Sequence, residues 1–363
     1  MADETDPLLD ATMGLLPHLL TVLEALERAG RHLHPPHVSG LAEALEGLLA
    51  PLQDNRATFE QAPWPEHLAG FRDALAGSAD HAAKALAGLG DAVSAANPVM
   101  AAYAATGHAG RAVATLYPVA FMLPPVNRFF VAPELRDDAE LLERLGACDP
   151  SAERAGIIHA ENESQQRGGC SIYVPEYYDE THPYPLVVAL HGGSGHGRSF
   201  LWTWLRDARS RGAIVISPTS RQNTWSLTEP EIDLPGLDGL VERAQGLWNV
   251  DKQRILLTGM SDGGTFSYLG GLRDDSPFTH LAPISGSFHP FVLEGCGGQR
   301  LSGLPIYLVH GALDWMFPTD MARMACNTLK AAGANITYRE LEDLSHTYPR
   351  EENQRILDWL MQS

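Results

Sequence analysis

The sequence is poor in cysteine, in basic charge and in unbroken apolar runs, and each shortage removes a class of function. Only four cysteines, Cys148, Cys170, Cys296 and Cys326, are spread over 363 residues. No two form a C-x-x-C pair, which argues against a zinc site and against a dense disulfide framework, so reduced, buried thiols are expected. Lys and Arg total 26 against 45 Asp and Glu, for a formal net charge of -19. That surplus repels phosphate backbones and anionic lipid surfaces, which makes nucleic acid an unsuitable partner. The most apolar stretch, Leu116 to Val126, is short and broken by Pro118, Pro124 and Pro125, so it cannot span a bilayer. The first residues, Met-Ala-Asp-Glu-Thr-Asp, are acidic where an export leader is basic and then apolar, and a soluble, cytoplasmic protein is expected.

What the chain does have is length and two different grammars. With 363 residues and a hydrophobic fraction of 44%, it exceeds the ~100–200 residues of a typical domain and can bury a sizeable core. Residues 1–150 read as a helical domain. Leu16, Leu19, Leu20, Leu23 and Leu26 share one face at a period near 3.6, Leu41, Leu45, Leu48 and Leu49 repeat the pattern, and Leu68, Phe71 and Leu75 open a third helix that the Ala-rich stretch Ala82 to Leu89 continues. Pro98 begins another helix running to about Tyr117. His32, His34 and His37 form the one tempting cluster here. The Pro35-Pro36 pair makes that segment a turn between helices, and no carboxylate pattern completes a metal site.

Residues 151–363 switch to short β-branched runs separated by Gly/Pro turns and helical stretches, the pattern of a mostly parallel sheet with crossover helices. Strands are expected at Gly156 to Ala160, Ser171 to Val174, Leu186 to Leu190, Ala213 to Ser217, Arg254 to Thr258, Leu281 to Ser285, Ile306 to His310 and Ile336 to Glu340, the first two as an antiparallel hairpin. Helices are expected over Gly236 to Trp248, Gly264 to Gly271, Pro318 to Ala332 and Glu351 to Met361, with a short one near Ala139 to Leu145.

The chemistry concentrates where these strands end. Arg254-Ile-Leu-Leu-Thr-Gly259-Met-Ser261-Asp-Gly263-Gly264 runs a buried strand into G-x-S-x-G. Glycines flank Ser261 because a strand that turns sharply into a helix leaves no room for side chains there, and the turn pushes the hydroxyl into a cleft. The following helix aims its N-terminal amides and dipole at the same point, which favours developing negative charge. Leu186 to Leu190 runs into His191-Gly192-Gly193-Ser194-Gly195-His196-Gly197, a loop able to offer bare backbone N–H groups to an oxyanion. The Gly193 amide is the expected donor, complementing the amide of Asp262, the residue after the serine. A phosphate-binding reading of that loop lacks the G-K-[ST] ending, and His191 and His196 are expected to support the loop. Asp314, just past the strand Ile306 to His310, fits the acid, with Asp343 as competitor. His346, in Leu344-Ser345-His346-Thr347-Tyr348-Pro349 ahead of the last helix, fits the base in a nucleophile, acid, base order.

With those blocks, the chain from about residue 180 onward resembles the phospholipase/carboxylesterase family of α/β-hydrolases, which includes the acyl-protein thioesterases; polyester depolymerases and feruloyl esterases look similar over the same blocks. The carriers are the glycine loop at His191, Gly259-Met-Ser261-Asp-Gly263-Gly264, His310-Gly-Ala-Leu-Asp314, His346, and Ser217-Pro-Thr-Ser-Arg-Gln-Asn-Thr-Trp225, where family members carry a tryptophan near the substrate pocket. The resemblance implies an α/β-hydrolase fold with a mostly parallel central sheet, preceded here by an all-helical N-terminal domain that compact family members lack. It implies a serine esterase that hydrolyses carboxylic esters through an acyl-enzyme and needs no cofactor or metal. Its triad is Ser261, Asp314 and His346, its oxyanion hole the Gly193 and Asp262 amides, and its substrate a small-molecule ester. Trp225 and Trp315 are the aromatics expected nearest the substrate. The rival readings are a peptidase or thioesterase of the same fold and a noncatalytic binding protein. The helical domain stays open between a lid, a surface for homodimerisation and a partner surface.

Overall fold

The computed structural model describes residues 6–149, 153–293, 296 and 298–362. The chain folds as two compact units, Met1–Arg136 and Asp137–Ser363.

The first unit contains helices α1 (Pro7–Arg31), α2 (Val38–Glu46), α3 (Leu49–Gln61), α4 (Ala69–Ala92), α5 (Pro98–Leu116) and α6 (Pro124–Phe129). Asp6 caps α1 by accepting from the Leu8 amide at 2.9 Å, and Asn97 caps α5 by accepting from Met100 at 3.3 Å. Of the apolar stripe read from the sequence, Leu16, Leu19, Leu23 and Leu26 lie on the buried face of α1 together with Leu15 and Val22, while Leu20 is only half-buried. Two departures from the pattern have simple causes. The leucines at 41, 45, 48 and 49 do not share one helix, because the chain breaks at Gly47-Leu48 and restarts as α3. And α1 is long and apolar enough, by length and composition alone, to cross a membrane, although 44% of its most apolar window is buried within the protein; Pro17 and the scattered polar residues of its other face hide this from a search for uninterrupted runs. The helices α4 and α5 approach so closely that a Cβ on Gly88 would lie 2.9 Å from the Ala105 Cβ. Ser78 ties them together by donating to the Ala112 carbonyl at 2.9 Å.

The second unit begins with α7 (Ala139–Gly146) and continues as β1 (Gly156–Ala160), β2 (Cys170–Val174), β3 (Tyr184–Leu190), α8 (Gly197–Phe200), α9 (Leu205–Arg211), β4 (Ile214–Pro218), α10 (Leu234–Leu247), β5 (Val250–Met260), α11 (Asp262–Gly271), β6 (His280–Ile284), α12 (Gly298–Leu301), β7 (Pro305–Gly311), α13 (Thr319–Ala331), β8 (Asn335–Leu341) and α14 (Glu351–Gln362). The eight strands form one sheet in the order β1-β2-β4-β3-β5-β6-β7-β8. The first two pair antiparallel, as does β2 with β4, and every later pairing is parallel. This is the α/β-hydrolase fold, with a helical region ahead of it.

All eight strands lie where the sequence put them, give or take a few residues. The largest difference is β5, which starts at Val250 rather than Arg254 because Tyr184 already pairs with Val250 before a register shift restores the ladder at Leu186 and Ile255. Among the helices that the sequence reading misses are α8 and α9. They are only four and seven residues long, too short for an apolar repeat to show, and the first is capped by an unusual residue, His196. The strands β2, β3 and β4 are buried along their whole length, as expected of strands covered on both faces. Burial also pushes the Cys170 thiol on β2 up to about 11, which leaves it protonated and inert.

Candidate active site

Ser261 stands between β5 and α11 with φ 56° and ψ −119°, a left-handed conformation that a side-chain-bearing residue adopts only under constraint. Its amide donates to the Ile284 carbonyl at 3.0 Å and its carbonyl accepts from the Thr265 amide at 2.8 Å, so the bend is held from both sides. The flanking glycines are sterically required. A Cβ on Gly259 would lie 2.5 Å from the Gly263 carbonyl, one on Gly264 would lie 2.7 Å from the Ile284 oxygen, and one on Gly263 would run into the backbone of Leu190 and His191.

The other two residues arrive from later strand ends. Asp314 follows β7, and its Oδ1 accepts from the Met316 and Phe317 amides at 2.9 and 2.8 Å. Its Oδ2 faces His346 Nδ1 at 2.8 Å, and His346 Nε2 faces Ser261 Oγ at 2.9 Å. A carboxylate can only accept, so Nδ1 carries the imidazole proton and Nε2 is left to accept from the serine hydroxyl. All three side chains are buried. Burial pushes the Asp314 carboxyl upward, but the hydrogen bond and charge of His346 and the Phe317 amide outweigh it and hold the group below the ordinary carboxylate range. The competitor Asp343 is exposed, and the carboxylate that meets His346 Nδ1 is that of Asp314.

The glycine loop after β3 lies directly against the serine: a Cβ on Gly192 would be 3.5 Å from Ser261 Cβ, and one on Gly193 would be 2.8 Å from Asp262 Oδ2. Asp262 is pinned by the Thr224 hydroxyl at 2.6 Å. Among the described residues the Gly193 and Asp262 amides donate no loop hydrogen bond. His191 is a buried support: its Nε2 accepts from the Ser220 amide at 3.1 Å, so its Nδ1 carries the proton and donates to the Gly192 carbonyl at 2.7 Å. Burial lowers this imidazole to about 4, and it stays neutral at physiological pH. His196 supports the loop likewise, accepting from the Arg198 amide at Nδ1 and donating from Nε2 to the Gln166 carbonyl.

The two tryptophans part company. Trp225 is 2% exposed, stacks on Phe266 with ring centres 5.3 Å apart, and donates from Nε1 to the His191 carbonyl at 2.7 Å. It sits beneath the glycine loop. Trp315 is 41% exposed, and Leu313 and Met316, which flank it and Asp314 in sequence, are exposed apolar side chains as well.

Sequence reasoning passed over Arg167, whose guanidinium donates to the Gly195, Ser220 and Gln222 carbonyls and to the Ser220 hydroxyl. It thereby ties the glycine loop to the segment carrying Thr224 and Trp225. A lone arginine in a polar loop between two strands carries no signal in one sequence. Asp233 was also missed; its two oxygens accept from the Arg221 and Ser226 amides at 3.0 Å each.

Residues 235–363 match the family described as Phospholipase/Carboxylesterase. Over 180 residues the chain is 29% identical to a probable feruloyl esterase C of Aspergillus niger, an alignment covering 48% of this chain and 63% of that protein. Over 136 residues it is 29% identical to the bifunctional acetylxylan esterase/xylanase XynS20E of Neocallimastix patriciarum, covering 36% of this chain and 19% of that one. The chain thus spans less than two thirds of the curated relatives it matches. Among solved structures, a thermostable esterase aligns over 58% of this chain and 63% of its own length, at 22% identity and a TM-score of 0.47. The sheet order and the strained serine between β5 and α11 are those of the α/β-hydrolase fold, and the carboxyl-terminal third of the chain is similar to the phospholipase/carboxylesterase family.

Proposed function

We propose that the chain is a serine esterase that hydrolyses carboxylic esters through an acyl-enzyme, with Ser261 as nucleophile, His346 as general base and Asp314 as the acid that orients it. The observation that carries this is the unbroken run of contacts from Ser261 Oγ through His346 to Asp314, at 2.9 and 2.8 Å. In this reading His346 Nε2 takes the Ser261 proton as Oγ attacks the ester carbonyl. The oxyanion is met by the Gly193 and Asp262 amides, the latter opening α11, where the helix dipole adds to the effect. His346 then protonates the departing alcohol, water attacks the acyl-enzyme by the same route, and the carboxylic acid leaves with Ser261 restored. Asp314 needs to remain ionised throughout, which its depressed proton affinity favours.

The substrate proposed first is an ester of an aromatic or other apolar acid. Support comes from the feruloyl esterase relatives and from the exposed apolar side chains of Leu313, Trp315 and Met316, next to Asp314 in sequence. Trp225 is assigned to holding the glycine loop in place, and Trp315 to substrate contact.

A panel of p-nitrophenyl esters, methyl esters of hydroxycinnamic acids, acyl thioesters and aminoacyl anilides tests the assignment. Ester turnover that disappears in Ser261→Ala, with anilides untouched, is expected. Anilide cleavage outpacing ester cleavage would replace the esterase reading with a peptidase, and turnover undiminished in Ser261→Ala would end it.

A further inference from the structure

The residue four places before Asp314 is another histidine. His310, near the end of β7, is fully buried. Its Nε2 lies 2.9 Å from the Phe317 carbonyl oxygen, which can only accept, so Nε2 carries a proton. The same Nε2 lies 3.6 Å from Asp314 Oδ2, the oxygen that receives the proton of His346 Nδ1. That is too far for a second hydrogen bond but close enough, in a dry interior, for the N–H dipole to act on the carboxylate. His310 Nδ1 has no hydrogen-bond partner among the described residues. A buried imidazole with one face unsatisfied is costly as a mere core filler.

From this we infer that His310 is a positioning residue for the acid: its Nε2–H fixes the 314–317 turn through the Phe317 carbonyl and stands 3.6 Å from Asp314 Oδ2, the oxygen that meets His346. The inference rests on the triad reading above. The turn is closed on itself, since Phe317 gives its amide to Asp314 Oδ1 and its carbonyl to His310. Removing the imidazole frees the turn and takes a partial positive charge away from the carboxylate. Among the described residues, the charged or titratable groups against His310 are Asp314, just past the end of its own strand, and Glu340, its register partner on β8; His310 is among the influences that lower both. Without it the Asp314 carboxylate binds protons more tightly and holds the His346 proton more firmly. The basic form of His346 then emerges at higher pH.

The experiment compares His310→Gln, whose amide nitrogen approximates the Nε2 position, with His310→Asn, whose amide stops short of it, and with His310→Leu. Rates on a p-nitrophenyl ester are normalised to sites titrated with a fluorophosphonate. In the Asn and Leu variants kcat should fall about tenfold with KM within about twofold, and the acidic limb of the kcat/KM profile should move to higher pH, while Gln restores most of both. The Asn and Gln pair decides the matter if Leu does not fold. A limb that stays in place in all three variants, or a Gln variant no better than Asn, overturns the role of His310 while leaving the triad intact. A wild-type enzyme that neither labels nor turns over ester overturns the triad reading itself.

Discussion

In the helical unit, Gly40, Gly70 and Gly90 lie on open helix surface where an added Cβ meets nothing within 4 Å; in the α/β unit, Gly259, Gly263 and Gly264 each sit against backbone that leaves no room for one. The first unit is specified by faces: any residue of the right polarity on the right side of α1 or α4 serves. The second is specified by points, where one atom more or less at a strand end decides whether three side chains meet. Faces tolerate change and say little about function. Points tolerate almost none, and chemistry is written in them.

The largest contrast lies between the serine and everything in the helical unit. Ser261→Ala should lower kcat by a factor on the order of 10⁴ to 10⁶, whereas Gly90→Ala should leave ester turnover unchanged; a helical-unit surface change that abolished turnover would break the comparison. Next in size, Gly263→Val should unfold the α/β unit, since its side chain has only the backbone of Leu190 and His191 to enter; far-ultraviolet circular dichroism and soluble yield read this directly.

One place sharpens the contrast from within the helical unit. Gly88, two residues before Gly90 on α4, faces Ala105 at the tight crossing with α5. Gly88→Ala should cost about 1–3 kcal/mol by overpacking, while Gly90→Ala should add up to about 1 kcal/mol through helix propensity. Thermal denaturation of the two variants should therefore move in opposite directions. Equal shifts would mean the crossing is looser than its geometry implies.

Acid should separate the units further. Burial lowers both His191 and His280, in the α/β unit, to about 4 from an ordinary value near 6.5. A histidine depressed in the folded state stabilises the protein fully above its unfolded value, and that stability is lost as pH falls from about 6.5 toward 4. Apart from Trp64, the tryptophans all belong to the α/β unit, so their fluorescence should report a denaturation midpoint that falls over this interval. The fall should be shallower in His280→Gln. A midpoint indifferent to pH between 7 and 4.5 would contradict the burial of these rings as neutral groups. Smallest of all, Trp225→Phe keeps the stack on Phe266 and loses only the donation to His191; about a three- to tenfold drop in kcat with little change in KM is expected, in line with the ~0.5–1.5 kcal/mol of one hydrogen bond.

What the sequence made legible follows the same division. The strands, their order of chemistry and the meeting of Ser261, Asp314 and His346 were readable because glycine spacing and strand-end position leave few alternatives. Trp225 was read as lying near the substrate, but the way its ring turns depends on Phe266 and His191, which only the fold brings beside it. Arg167 was invisible, and His310, although part of the strand-end block, showed no sign of its contacts, because both donate to backbone carbonyls, which no residue type announces. In the helical unit the amphipathic stripe of α1 was plain, yet the break at Gly47 was not, because a glycine in a leucine-rich run reads equally as helix interior or helix end.

The central claim is that one hydroxyl, Ser261 Oγ, is made nucleophilic by His346. Treating the 363-residue chain with a fluorophosphonate and mapping the adduct by peptide mass spectrometry tests it most directly. A single phosphonylated serine at position 261, absent in Ser261→Ala and formed far more slowly in His346→Ala, is the predicted result. Labelling at another serine, or at Ser261 at the same rate without His346, would contradict it.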